Sequence, residues 1–140
     1  MNWADRIFKT HVKSEFEDLA FDVFTYQINH CEVYSNYVSA IGKANPKSLN
    51  DIPFLPISFF KSKRVVSNQH DHIECFFKSS GTQGERSCHE LIDVNIYKHS
   101  FEWSYAHFIG DIKNHVILGL LPNYIEQGDS SLVYMVDTLI

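Results

Sequence analysis

Cysteine is scarce in this sequence and unpaired: Cys31, Cys75 and Cys88 are the three present, and no two form a C-x-x-C pair. That count and spacing argue against a disulfide framework and a zinc site. Each lies in an apolar setting, which reads as an inert buried thiol rather than a nucleophile. Positive charge is also in short supply. Twelve Lys and Arg stand against seventeen Asp and Glu, a net charge of −5 and a pI of about 5.8. Nucleic acid is thereby disfavoured as a partner, because gripping a phosphate backbone requires a basic face. The densest basic cluster, Lys61-Ser62-Lys63-Arg64, reads as a solvated turn. No apolar run reaches membrane-spanning length, and Met1-Asn2-Trp3-Ala4-Asp5-Arg6 lacks the hydrophobic centre of a signal peptide. A cytoplasmic location with no membrane partner is expected. Repeats and low-complexity stretches are lacking too, so residues 1–140 are read as one packed unit.

What the chain does have is aromatic bulk. Eleven Phe and seven Tyr supply the large rings of a deep core or an apolar pocket. A globule of this size buries roughly 68–70% of its unfolded surface, so disorder is not expected. Residues 1–44 form a helical N-terminal segment, with helix read from 3 to 41. Ser14-Glu15-Phe16-Glu17 has capping-box spacing. Phe16, Leu19, Ala20, Val23, Phe24, Gln27 and Ile28 follow a core-facing stripe. A short helix from Glu32 to Ile41 meets its stop signal at Gly42.

Residues 45–140 read as the α/β part. Pro53 and Pro56 forbid a regular helix or central strand there, so 52–57 is expected to lie extended across another element. Ser58 to Lys61 suggests a helical turn. Val65-Val66, Ile73 to Phe77 and Cys88 to Ile92 are β-prone runs. Asp93 looks like the N-cap of a helix carrying Val94, Tyr97, Phe101, Tyr105 and Phe108 on one face and ending at Gly110. His115 to Leu121 is an almost unbroken apolar run closed by Pro122, the pattern of a strand buried on both sides. Ser131 to Ile140 reads as a helix with Leu132, Met135, Val136 and Leu139 inward; its Leu-Val-Tyr-Met-Val core also suits a strand. The fold class is therefore α/β, N-terminal helices followed by a mixed sheet with packed helices. The chain stops within an apolar pattern, which gives it the look of a partial domain.

Chemistry concentrates in Ser79-Ser80-Gly81-Thr82-Gln83-Gly84-Glu85-Arg86-Ser87, a loop between two expected strands. Glycine allows close backbone approach, successive N–H groups in such turns make anion hollows, and hydroxyls add donors. Lys78 and Arg86 flank the loop with positive charge. Each charge-assisted hydrogen bond to a phosphate contributes roughly 1.5–3 kcal/mol. Composition alone favours a plain polar hairpin turn. The loop is neither a Walker A sequence nor Gly-x-Gly-x-x-Gly, and acidic Glu85 does not suit a nucleic-acid-binding Gly-x-x-Gly.

The segment Ser79 to Gly84 resembles the Ser/Thr-Ser-Gly-Thr-Thr-Gly phosphate loop of the adenylate-forming superfamily, which includes acyl-CoA synthetases and phenylacetate-CoA ligases. Four stretches in order, Ile52 to Lys61, Phe77 to Thr82, Leu120 to Tyr124 and Ser130 to Met135, resemble LuxE-type acyl-protein synthetases. The resemblance implies part of the large N-terminal domain of such an enzyme, with ATP and Mg2+ as cofactors. It implies a carboxylic (fatty) acid activated to acyl-AMP and passed to an acyl-accepting thiol. Ser79, Ser80, Gly81, Thr82, Gln83, Gly84 and Arg86 would border the phosphates, with Gln83 departing from the usual threonine and Glu85-Arg86 from the usual Pro-Lys. Glu85 would have to point outside. The family's catalytic lysine, metal-binding motifs and acyl-accepting cysteine have no counterpart within these 140 residues, so no catalytic residue is assigned and the chain alone is expected to be inactive.

Weaker signals read as solvated or structural: His70-Asp71-His72 lacks a third metal ligand, Cys88 and His89 would face opposite sides of a strand, and Asp111, Glu126 and Asp129 read as surface carboxylates. A rival to the ligase reading is a non-catalytic, truncated α/β module that binds a nucleotide or a partner chain. Exposed apolar surface would then favour self-association.

Overall fold

A computed structural model describes residues 3–68, 72–80, 85–120 and 128–140. The chain divides into two compact units, Met1–His72 and Ile73–Ile140.

The first unit is helical. Helix α1 (Trp3–Lys9) lays Trp3 edge-on against Tyr26, ring centres 5.1 Å apart, with Arg6 above Trp3 and paired to Asp22. Helix α2 (Lys13–His30) buries Leu19 and Phe24 from the expected stripe, but Phe16 at its start is 55% exposed. The expected capping box does not form. Val12 is the N-cap, without a side-chain bond, so Ser14 lies inside the first turn. Cys31, in extended backbone, ends α2 through its N–H to the Gln27 carbonyl and caps α3 (Glu32–Ala40). Ile41 and Gly42 turn the chain away, Gly42 at φ +68°, where a side chain would be strained.

Phe24, Cys31, Tyr34 and Val38 form the core, with Ile28, Ile52, Leu55 and Val65 packed against them. The proline segment behaves as its sequence requires. It lies across the helices, and Tyr34 donates from Oη to the Pro53 carbonyl at 2.6 Å. Phe54 and Ile57 face outward. Ile52, Leu55 and Val65, from the stretch read with the α/β part, thus pack with the helices. Helix α4 (Phe59–Ser62) is the expected turn, with Phe59 edge-on to Tyr37. Val65-Val66 is not a strand. Val66 is buried, and beyond it Ser67 donates to Gln27 and the Asn68 N–H to the His30 carbonyl.

The second unit is α/β. Strands β1 (Cys75–Lys78) and β2 (Cys88–Leu91) pair antiparallel, with Cys75 opposite Leu91 and Lys78 opposite Cys88. Alternation puts Phe77 inward and leaves Phe76 and Lys78 exposed. Helix α5 (Val94–Phe108) starts where Asp93 accepts from the Asn95 N–H, and Glu74 accepts from Val94. Helix α6 (Ser131–Leu139) is capped by Ser130. Tyr97 of α5 and Tyr134 of α6 meet Phe77 at ring-centre distances of 5.1 and 5.5 Å, and Phe101 joins them. Tyr134 is therefore an inward residue of α6, while Leu132 is 52% exposed and Phe108 of α5 is 78% exposed.

The buried strand expected over 115–121 is absent from its described part. Residues 115–120 are irregular, and Val116, Leu118 and Leu120 are 86%, 86% and 100% exposed. A strand buried on both faces needs paired neighbours on each side. Among the described residues the sheet has two strands, which offer no such central place.

Candidate functional site: the neck of the glycine and hydroxyl loop

The β1–β2 register sets this site. Pairing ends at Lys78 and Cys88, and the loop springs from that pair. Just beyond it, the Ser79 N–H donates to the Ser87 carbonyl at 3.0 Å. The return bond is different: the Ser87 N–H donates to Ser79 Oγ, also at 3.0 Å. A hydroxyl stands where a ladder carbonyl would otherwise be. The Ser79 carbonyl is thereby released, and it accepts from Arg86 Nε at 2.5 Å.

Arg86 is held from the other side by Asp129. Its Nη2 donates to Oδ1 at 3.2 Å and its Nη1 lies 3.0 Å from Oδ2, a fork-to-fork pairing. Asp129 is 8% exposed, and its backbone carbonyl accepts from the Lys78 N–H at 2.8 Å. Gly128 immediately before it takes φ +61°, a left-handed turn. Three separate stretches, 78–79, 86–87 and 129, thus converge at the mouth of one loop.

Ser79 and Ser87 are half-buried in this neck, Ser80 and Glu85 are exposed, and Arg86 keeps a third of its side chain in contact with solvent. Gly81, Thr82, Gln83 and Gly84 lie outside the described residues. Lys78 joins the neck through its backbone alone, its ammonium resting 5.3 Å from the centre of the Phe76 ring.

Asp129 is the residue that sequence reasoning missed. Read as a surface carboxylate, it is buried and ion-paired, which corrects that expectation. A lone acidic residue between Gly128 and the cap Ser130 carries no sign of a partner 43 positions away. Its position beside the last of the four resembling stretches was the one available signal. Asp111 does stay exposed, capping a short turn at Lys113, whereas Glu126 lies outside the described residues. His70 and Asp71 do as well. Among the described residues no group of three or more His, Cys, Asp or Glu could hold a metal ion.

The thiols are not all buried as expected, since Cys75 and Cys88 are half-buried. Cys31 is 2% exposed, and burial pushes the Cys75 thiol above its ordinary pKa. Away from the loop, the helical unit carries an open apolar groove of about 670 Å3, lined by Phe24, Ile52, Leu55, Phe60 and Val65 among others. No described helix is long and apolar enough to cross a membrane.

A long-chain-fatty-acid–luciferin-component ligase of Photorhabdus luminescens is 37% identical over 70 residues, covering 49% of this chain and 60% of that protein. The ligases of the same name from Vibrio harveyi and Aliivibrio fischeri are 34% and 32% identical over 65 and 72 residues. Those matches take in 46% and 51% of this chain but 17% and 19% of the relatives, so the shared stretch is a minor part of either enzyme. No solved structure matches the chain. The family model for LuxE acyl-protein synthetases matches residues 6–118, well over half of the sequence, and the chain belongs to that family.

Proposed function

We propose that this chain supplies the phosphate-gripping part of a cytoplasmic ligase that activates a long-chain carboxylic acid with ATP and passes the acyl group to a thiol. The observation that carries the proposal is the glycine and hydroxyl loop of Ser79 to Ser87, set at the mouth of a hairpin in a LuxE-family chain and closed by Arg86. The relatives are named as ligases of a long-chain fatty acid.

In this reading a carboxylate oxygen attacks the α-phosphorus of ATP. The bond to the bridging oxygen breaks, pyrophosphate leaves with the electron pair, and acyl-AMP forms. A thiolate then attacks the acyl carbon, expelling AMP. The residues here act on the first step by position and charge: Ser79, Ser80, Gly81, Thr82, Gln83 and Gly84 offer amide and hydroxyl donors to the β- and γ-phosphates, and Arg86 adds positive charge. Magnesium would be held largely through the phosphates and water, as that ion prefers. The acceptor thiol is assigned to none of Cys31, Cys75 and Cys88.

The test is carboxylate-dependent exchange of ATP with pyrophosphate by the gene product. Gly81→Val should abolish exchange while leaving the circular dichroism spectrum unchanged. Undiminished exchange in that variant removes the loop from the mechanism.

A second reading draws on the exposed Val116, Leu118 and Leu120. A contiguous apolar stretch open to water favours association, and a non-catalytic module binding a partner chain, or itself, would use it.

A further inference from the structure

We propose that Asp129 is a positioning residue for the anion loop, acting through Arg86; this rests on the reading of residues 79–87 as a phosphate-binding loop. The Asp129 side chain is 12% exposed and both of its oxygens engage the Arg86 guanidinium. Arg86 in turn reaches the Ser79 carbonyl through Nε. The Asp129 backbone takes the Lys78 N–H, one residue before Ser79. The end of β1, the residue before the α6 cap and the returning arm of the loop are therefore tied in one ring of hydrogen bonds.

Guanidinium geometry matters here. Its terminal nitrogens satisfy a carboxylate while Nε satisfies a carbonyl in the same plane, which an ammonium cannot do. Asp129 thus aims the Arg86 charge at the loop mouth and, through the Ser79 carbonyl, keeps Ser79 Oγ turned toward the Ser87 N–H. The sign of one substitution separates this role from that of a bystander. If Arg86 met phosphate independently, removing the neighbouring negative charge would strengthen anion binding. If Asp129 positions Arg86, removing it weakens binding.

The experiment is calorimetric titration of the full chain with magnesium ATP, alongside thermal melts, for the wild type, Asp129→Asn, Arg86→Lys and the double variant. Each single change should weaken ATP binding roughly tenfold, and the double variant should lose little more, because both break one ring. Unchanged or tighter ATP binding by Asp129→Asn overturns the proposal. So does a lower melting temperature with undiminished affinity of the folded protein, which assigns the pair to stability alone. Should Asp129→Asn fail to fold, Arg86→Lys decides: it keeps the charge and loses the fork, and unchanged affinity overturns the proposal. A wild type that binds no ATP removes the underlying reading as well, and the wild-type titration alone reveals it.

Discussion

Tyr34 and Asp129 are buried polar side chains, and neither environment follows from local sequence. Tyr34 lies at the centre of the helical core with its hydroxyl bonded to Pro53. Tyr34→Phe removes that bond and should cost about 1 kcal/mol, read from a shift of the denaturant midpoint at constant slope. The same residue sets a pH dependence. Burial, and secondly the neighbouring Tyr37, raise its pKa above the ordinary 10.0. The folded state therefore holds the proton more tightly than the unfolded chain. That contribution is complete below pH about 10 and fades as pH rises through the raised value. Tyr34→Phe should flatten the alkaline loss of stability, and an unaltered profile would place its origin elsewhere. Sequence could name a tyrosine on a helix face but not the proline carbonyl 19 positions away. Asp129 was illegible for the same reason, its partner being distant in the chain.

Helices were legible because their signals are local. The apolar spacing of α2, the glycine after α3 and the Asp93 cap of α5 each appear where the pattern puts them. The failures were competitions between local signals. Ser14 and Glu17 have capping spacing, yet the helix begins at Lys13 behind an uncapped Val12. That vacancy predicts a gain: Val12→Asp should stabilise the chain by about 1 kcal/mol, since the side chain can accept from the first free amides. Conversely, Asp93→Ala should cost about 1 kcal/mol by removing the bond from Asn95. Thermal melts of both variants check the two signs together. Residues 115–120 failed differently. An apolar run states that burial is favourable but does not supply the strands to bury it.

At the scale of the molecule, the α/β class and the family were within reach of the sequence, because four ordered stretches constrain more than any one motif. The packing of Ile52, Leu55 and Val65 on the helices was not, since it is a long-range event. The exposed run carries a prediction for the intact protein. Leu118→Lys with Leu120→Lys should lower concentration-dependent association in sedimentation velocity, and identical profiles would clear this stretch of any role in assembly. The hairpin neck, by contrast, is built from polar bonds among Ser79, Arg86, Ser87 and Asp129. Whether its loop receives a triphosphate is settled most directly by adding magnesium ATP to the isotopically labelled chain and following backbone amide resonances. The account predicts saturable shifts centred on Ser79 to Ser87, lost in the Gly81→Val variant. Shifts confined to other parts of the chain, or none at all, would contradict it.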